Sequence, residues 1–223
     1  VLNAMEETTA ALAAVSSEPT GVARVGAQPT AVRTVLPAAL VALGRDYPGL
    51  ELSVSELDPI AEPAALLDRR LDVGLLHDYD VVPAVADAML ESVALLDETV
   101  YLAVAVDAPI STLAHTRDTE WILATPGTLC HEAALRVCRA AGFTPRARHH
   151  IDDFDAVLAQ VAADQGVALV PQLAAGSKHP VRLIAVPTRR RTRIGYRRGA
   201  AAHPAVMAVV AALRASASAF VRD

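Results

Sequence analysis

The sequence predicts an α/β protein of two similar lobes, each a parallel sheet flanked by helices, with a ligand cleft between them. Three observations lead to this reading. Apolar runs of strand length alternate with helical periodicity in two successive β-α-β-α-β stretches, and parallel strands require such helical crossovers. Residues 91–106, ESVALLDETVYLAVAV, form one strand-like stretch too long for an ordinary strand, so it is expected to leave one lobe and enter the next. A hydrophobic fraction of 53% with 20% charged residues in 223 positions is that of a compact protein able to bury one good core or two small ones.

Taken in order, Leu2, Met5, Leu12 and Val15 share one helical face, which predicts a helix over residues 1–16. Ser17-Glu18-Pro19-Thr20-Gly21 breaks it. Residues 22–27 are the first strand, and Gln28-Pro29-Thr30 turns into a helix over 31–46 with Leu36, Leu40 and Leu43 as its ridge. Tyr47-Pro48-Gly49 stops that helix. The second strand is 50–55, Asp58-Pro59 caps a helix to about residue 70, and 71–76 is the third strand, ending at His77. After a polar connection comes the long stretch already described, then a loop over 109–119.

Residues 121–171 repeat the pattern. Trp121-Ile122-Leu123-Ala124 is a strand, Thr125-Pro126-Gly127 a turn, and Thr128 stands where a helix cap would stand. This turn is the leading candidate site, because ligands of open α/β sheets bind beyond the carboxyl ends of the strands, where helix N-termini offer unpaired N–H groups. A short helix near Leu173, a strand over 181–186, the basic run Arg189-Arg190-Arg191-Thr192-Arg193, a strand over 194–197 and a helix from His203-Pro204 to about Phe220 complete the chain.

Composition excludes several classes. A net charge of −5 argues against nonspecific phosphate binding by this chain. Cys130 and Cys138 fall on one predicted helix, roughly 12 Å apart by the rise per residue, too far to bridge without melting it. No apolar run reaches the length of a membrane span, and the first residues lack the pattern of a secretory signal, so the protein is expected to be cytoplasmic. Its start at Val1 suggests a fragment or a processed chain.

With these residues laid out, the chain resembles the effector-binding domain of LysR-type transcriptional regulators over nearly its whole length. The resemblance rests on Gly21-Val22-Ala23-Arg24-Val25-Gly26, Leu36-Pro37, Tyr47-Pro48-Gly49-Leu50-Glu51-Leu52, and the run LLDRRLDVGL over 66–75. Ala141-Gly142-Phe143-Thr144-Pro145 and Gly166-Val167-Ala168-Leu169-Val170-Pro171 complete it. It implies two Rossmann-like subdomains in a periplasmic-binding-protein-like (type 2) fold. Their expected bounds are 19–97 plus 191–223 for subdomain I and 98–190 for subdomain II, with 1–18 the end of a linker helix. It further implies a homodimer or tetramer, and DNA contact only through an N-terminal winged helix-turn-helix that this chain does not contain. At Asp164 the family usually has Gly, which would close the preceding helix in the left-handed region.

The resemblance implies a small effector bound in the cleft. The positions expected to meet it are Gln28 and Thr30 in the first strand-to-helix turn, Glu56 and Asp58 in the second, and His77 at the end of the third strand. Thr125, Thr128 and Cys130 follow in the leading turn, with Asp153 and Phe154 at the start of the next helix. Four have a plainer alternative: Thr30 and Asp58 as caps, His77 as a solvated loop histidine, Phe154 as core. Peroxide-sensing members of the family carry two cysteines in this helix. Cys138 matches one position and Cys130 is one residue off the other, so a pocket-lining thiol is the default.

Neighbouring residues on a helix or strand point apart, so neither Cys130-His131-Glu132 nor His149-His150 makes a metal site or a nucleophile. The basic run reads as a solvated strand edge that discourages aggregation. No cofactor motif or catalytic constellation stands out, and an enzyme is not expected. The expected function is effector sensing and oligomerisation for a transcriptional regulator, with a small anionic ligand. The alternative is a stand-alone solute-binding protein, which the missing signal peptide disfavours.

Overall fold

The computed structural model describes residues 2–15, 18–176 and 178–220; expectations on Val1, Ser16, Ser17 and Ser177 and on the side chain of Leu2 lie outside the described residues. The chain divides into two compact units. Unit 1 comprises Val1–His77, Val85–Leu96 and Thr192–Asp223, and unit 2 comprises Asp78–Ala84 and Asp97–Arg191.

Unit 1 is built on β1 (Gly21–Ala27), β2 (Leu50–Glu56) and β3 (Val73–Tyr79), with α1 (Leu2–Val15), α2 (Pro29–Arg33), α3 (Val35–Asp46) and α4 (Glu62–Leu67) around them. β1 lies between two parallel neighbours, with Gly21 opposite Leu50 and Gly26 opposite Gly74. Two long strands, β4 (Leu90–Ala105) and β8 (Val181–Arg197), extend the strand order to β2-β1-β3-β8-β4. The last helix, α7 (Pro204–Ala217), packs on α3. Val25, Val35, Leu36, Leu66, Val73, Leu75 and Leu213 are all buried, as strands covered by helices require.

Three expectations for unit 1 are corrected. The helix expected over 31–46 is two helices separated at Thr34 (φ −114°, ψ −70°), and Pro37 in the first turn of α3 supplies no N–H to bridge them. Asp58 does not cap α4, whose N-cap is Ala61; its carboxylate accepts from Ile60 N at 2.9 Å and caps only a tight turn. On α1 the expected apolar face is outside: Met5, Leu12 and Val15 are exposed, while Glu6 and Ala10 are buried. Glu6 is buried because it is paired. Its carboxylate meets Arg197 Nε at 3.0 Å and Arg69 Nη2 at 2.6 Å. Arg197 also donates to the carbonyls of Leu66 (3.0 Å) and Leu71 (2.6 Å) and to Asp72. Burial would raise the Asp72 carboxyl, but hydrogen bonds from Arg24 and Arg197 outweigh it and hold the group below its ordinary range.

Unit 2 contains β5 (Glu120–Leu123), α5 (Leu129–Ala140), β6 (Arg146–His150), α6 (Phe154–Ala162) and β7 (Ala168–Pro171). β7 runs antiparallel to β4, with Val100 opposite Pro171 and Ala103 opposite Ala168. β5 and β6 pair in parallel, and a parallel bridge between Trp121 and Val167 joins them to the chain entering β7. Gly166 makes that junction possible. Its φ is +148°, and a Cβ there would sit 2.7 Å from the Glu120 carbonyl oxygen, so only glycine fits. Trp121, fully buried, donates from Nε1 to Thr116 O at 3.3 Å and meets the Phe143 ring at 6.2 Å. Asp164 closes α6 at φ +56°, the left-handed conformation expected where the family carries Gly.

The two strands expected over 181–186 and 194–197 are one, β8, and the basic run lies inside it. It is no solvated edge. β8 has neighbours on both sides, and Arg190 is 1% exposed against Glu98 at 2%. Nε donates to Oε2 at 2.9 Å and Nη2 to Oε1 at 3.1 Å. Beside it, Arg189 pairs with Asp97 at 2.8 Å. The charges are tolerated because the carboxylates of β4 neutralise them.

Candidate functional site

The ten candidate residues divide between the units. Gln28, Thr30, Glu56, Asp58 and His77 belong to unit 1, and Thr125, Thr128, Cys130, Asp153 and Phe154 to unit 2.

In unit 1 the candidates cluster at the carboxyl ends of parallel strands. Gln28 follows β1 directly, as the N-cap of α2, with extended backbone and no side-chain capping bond. Its side chain is 3% exposed, and neither its amide nitrogen nor its amide oxygen has a hydrogen-bond partner among the described residues. An orphaned buried amide is expensive. Thr30, also buried, lies within α2 and is not its cap; its carbonyl accepts from Thr34 Oγ1 at 2.6 Å. His77 is buried on β3, not solvated in a loop. Glu56 and Asp58 are exposed at the end of β2 and in the turn after it.

In unit 2 the leading turn is organised by a residue that the sequence reading did not single out. Asp152 accepts from Thr125 N at 2.8 Å and from Thr125 Oγ1 at 2.6 Å, which ties the end of β5 to the end of β6. The donors of Thr125 are therefore occupied by the protein's own carboxylate. Thr128 is the N-cap of α5: its Oγ1 accepts from His131 N at 3.3 Å and donates to Thr125 O at 2.8 Å. His131 donates from Nδ1 to Ala124 O at 2.8 Å, and its ring stands 6.1 Å from that of His150. A pair of carboxylates at the end of a short strand, Asp152-Asp153, was the available signal for the clamp. Asp153 caps α6, accepting from Ala156 N at 2.8 Å.

Below the turn, the Cys130 thiol and the Tyr79 hydroxyl lie 3.4 Å apart. They line a cavity of about 20 Å³ together with Phe154, Val170 and Thr188, which holds about one water. Phe154 is half-buried, packing against the cluster of Ile122, Val157 and Val161. Cys138 is fully buried in the same helix, and burial pushes its thiol up to about 12, so the thiolate required for redox chemistry is not formed there at neutral pH. Among the described residues, no group of three or more His, Cys, Asp or Glu side chains is placed to hold a metal ion, and no helix is long and apolar enough to cross a membrane.

Comparison with known proteins bears on the family and the fold. The family model described as LysR substrate binding domain matches residues 16–218. The transcriptional dual regulator GltC of Bacillus subtilis is 24% identical over 172 residues, covering 75% of this chain and 56% of GltC. The chain thus spans about half the length of that relative. Among solved structures, a C206 mutant of Corynebacterium glutamicum OxyR superposes with a TM-score of 0.78 at 23% identity, over 99% of this chain and 71% of that one. The effector-binding domain of QuiR in complex with shikimate gives 0.75 at 13% identity, over 90% of this chain and 99% of that one. The fold is the periplasmic-binding-protein-like (type 2) class, and the chain belongs to the LysR substrate-binding domain family.

Proposed function

We propose that this chain is the effector-sensing domain of a cytoplasmic LysR-type transcriptional regulator, and that a small molecule binding to it alters DNA binding by a separate segment of the protein. Unit 1 would serve as subdomain I and unit 2 as subdomain II, with residues 1–18 ending the linker helix and the domain assembling as a homo-oligomer. The observation that carries the reading is Gln28. A buried amide with neither donor nor acceptor matched persists in a fold when something outside the fold completes it. Membership of the family favours a sensing domain over a stand-alone solute-binding protein, and no role as an enzyme is proposed.

The effector is proposed to be a small anion, drawn to the N–H groups at helix N-termini; the candidate contacts are Gln28, Thr30 and His77 within unit 1 and Thr128 and Cys130 within unit 2, each set taken by itself. Asp152 restricts where such an anion can lie, because it already fills the donors of Thr125.

A thermal-shift screen of small carboxylates and aromatic acids tests this reading, each paired with its neutral amide. A ligand at a hundred times its Kd should add about 2.7 kcal/mol of stability, and Gln28→Leu should abolish the shift. Stabilisation by the amides with none by the acids would refute the anionic effector. A shift that survives Gln28→Leu unchanged would remove Gln28 from the site.

A further inference from the structure

Glu62 is the most anomalous ionisable group in unit 1. It opens α4, yet its side chain is completely buried, and neither carboxyl oxygen has a hydrogen-bond partner among the described residues. Its surroundings are apolar. Gly74 of β3 lies so close that a Cβ there would stand 3.4 Å from Glu62 Oε2 and 3.3 Å from Leu66 Cδ1. Leu66, Ala65 and Leu71 form the adjoining cluster, with Leu57 and Leu76 against it. A carboxylate in such a place has lost water and gained nothing in exchange.

We propose that Glu62 makes residues 57–67 a proton-responsive element of the fold: with the carboxyl protonated the segment closes over β3, and on ionisation it opens locally. Burial raises this carboxyl from its ordinary 4.5 to about 8, and the charge of Asp58 adds to the effect. Among the described residues, Asp58 is the one charged group that raises it in this way. Asp72, at the foot of β3, is committed to Arg24 and Arg197, and Asp68, after α4, pairs with Arg70.

The turn between β2 and α4 is held to the sheet through Leu57 N on Ala27 O at 3.1 Å, and closed on itself by Ala61 N on Asp58 O at 2.9 Å. The turn also carries Asp58, so a local opening would move a candidate effector contact. The proton linkage itself does not depend on there being an effector.

The sign follows from the direction of the shift. A group whose pKa is higher in the closed state contributes its stability below its ordinary pKa, and that contribution is lost as pH rises through the closed-state value. Inside this window each pH unit multiplies the opening constant tenfold. From pH 6 to pH 8 that is about a hundredfold, halved because the closed carboxyl is itself half-ionised at about 8, leaving about fifty-fold.

Hydrogen–deuterium exchange read by mass spectrometry at pH 6 and pH 8, corrected for intrinsic exchange rates, tests the proposal on the whole chain. Wild type should show about a fifty-fold larger opening constant at pH 8 for peptides within 57–67, with little change elsewhere in unit 1. Glu62→Gln and Glu62→Leu should both be flat across the same interval, and the Leu variant serves if the Gln variant does not fold. Corrected exchange in wild type that is unchanged by pH would overturn the proposal. So would the same rise in either variant, or a loss of protection spread evenly over the unit.

Discussion

Replacing Glu98 by Ala should be among the most damaging single changes to unit 2. Arg190 and Glu98 are 1% and 2% exposed, and their side chains approach to 2.8 Å. Burial is the largest influence and pulls the guanidinium pKa down, but the charge and hydrogen bonding of Glu98, together with Tyr79 and Cys130, keep Arg190 above its ordinary value. Deleting the carboxylate strips a buried cation of its ion-pair partner, at about 3–5 kcal/mol. It also orphans Leu173 N–H, which now donates to Glu98 Oε1 at 2.9 Å, for roughly 1 kcal/mol more. The expected loss is therefore about 4–6 kcal/mol. Urea titration can be followed by the fluorescence of Trp121, the single tryptophan, which is buried in the same unit. The double variant Glu98→Leu with Arg190→Met should recover most of the loss, apart from the Leu173 contribution, because apolar replacement of both partners is often neutral. A single-variant cost below about 1 kcal/mol would refute the reasoning, as would a double variant as unstable as the sum of its parts.

Two further outcomes are expected. Cys138, held near 12 by burial, should resist a thiol reagent in the native protein at pH 8 and react only on unfolding; native labelling of Cys138 at the rate of a free thiol would contradict its placement. Asp164→Gly should stabilise by about 0.5–1 kcal/mol, since the φ of +56° strains a side chain but not glycine, and glycine's extra unfolded-state entropy offsets part of the gain. A lower denaturation midpoint would show that Asp164 contributes more than its backbone.

Sequence reading was reliable where a local rule and a tertiary requirement coincide. Thr128 is a cap both by residue type and because α5 needs one, and Asp164 takes the left-handed conformation because the chain must turn out of α6 there. β3 and β5 were legible because their apolar runs are almost wholly buried. What escaped was long-range. The basic run of β8 looks like a solvated edge until Asp97 and Glu98, some ninety positions earlier, are seen on the adjacent strand. The outward face of α1 is set by Glu6, whose partners Arg69 and Arg197 are also remote in sequence. Burial of Gln28 and His77 depends on packing that no local pattern encodes. Only the break at Thr34 was available locally, in Pro37.

Arg197 joins parts of unit 1 that are far apart in sequence, and this gives the N-terminal helix a mechanical role. One guanidinium holds Glu6 of α1, the Leu66 and Leu71 carbonyls on either side of the loop from α4 to β3, and Asp72, which in turn grips Arg24 on β1. Its donors are spent in a fixed plane, a fork that lysine cannot reproduce. The fastening is thus a rivet through four layers of chain. A load on α1 at Glu6 would therefore be shared by Leu71 and Asp72 beside β3 through a single side chain.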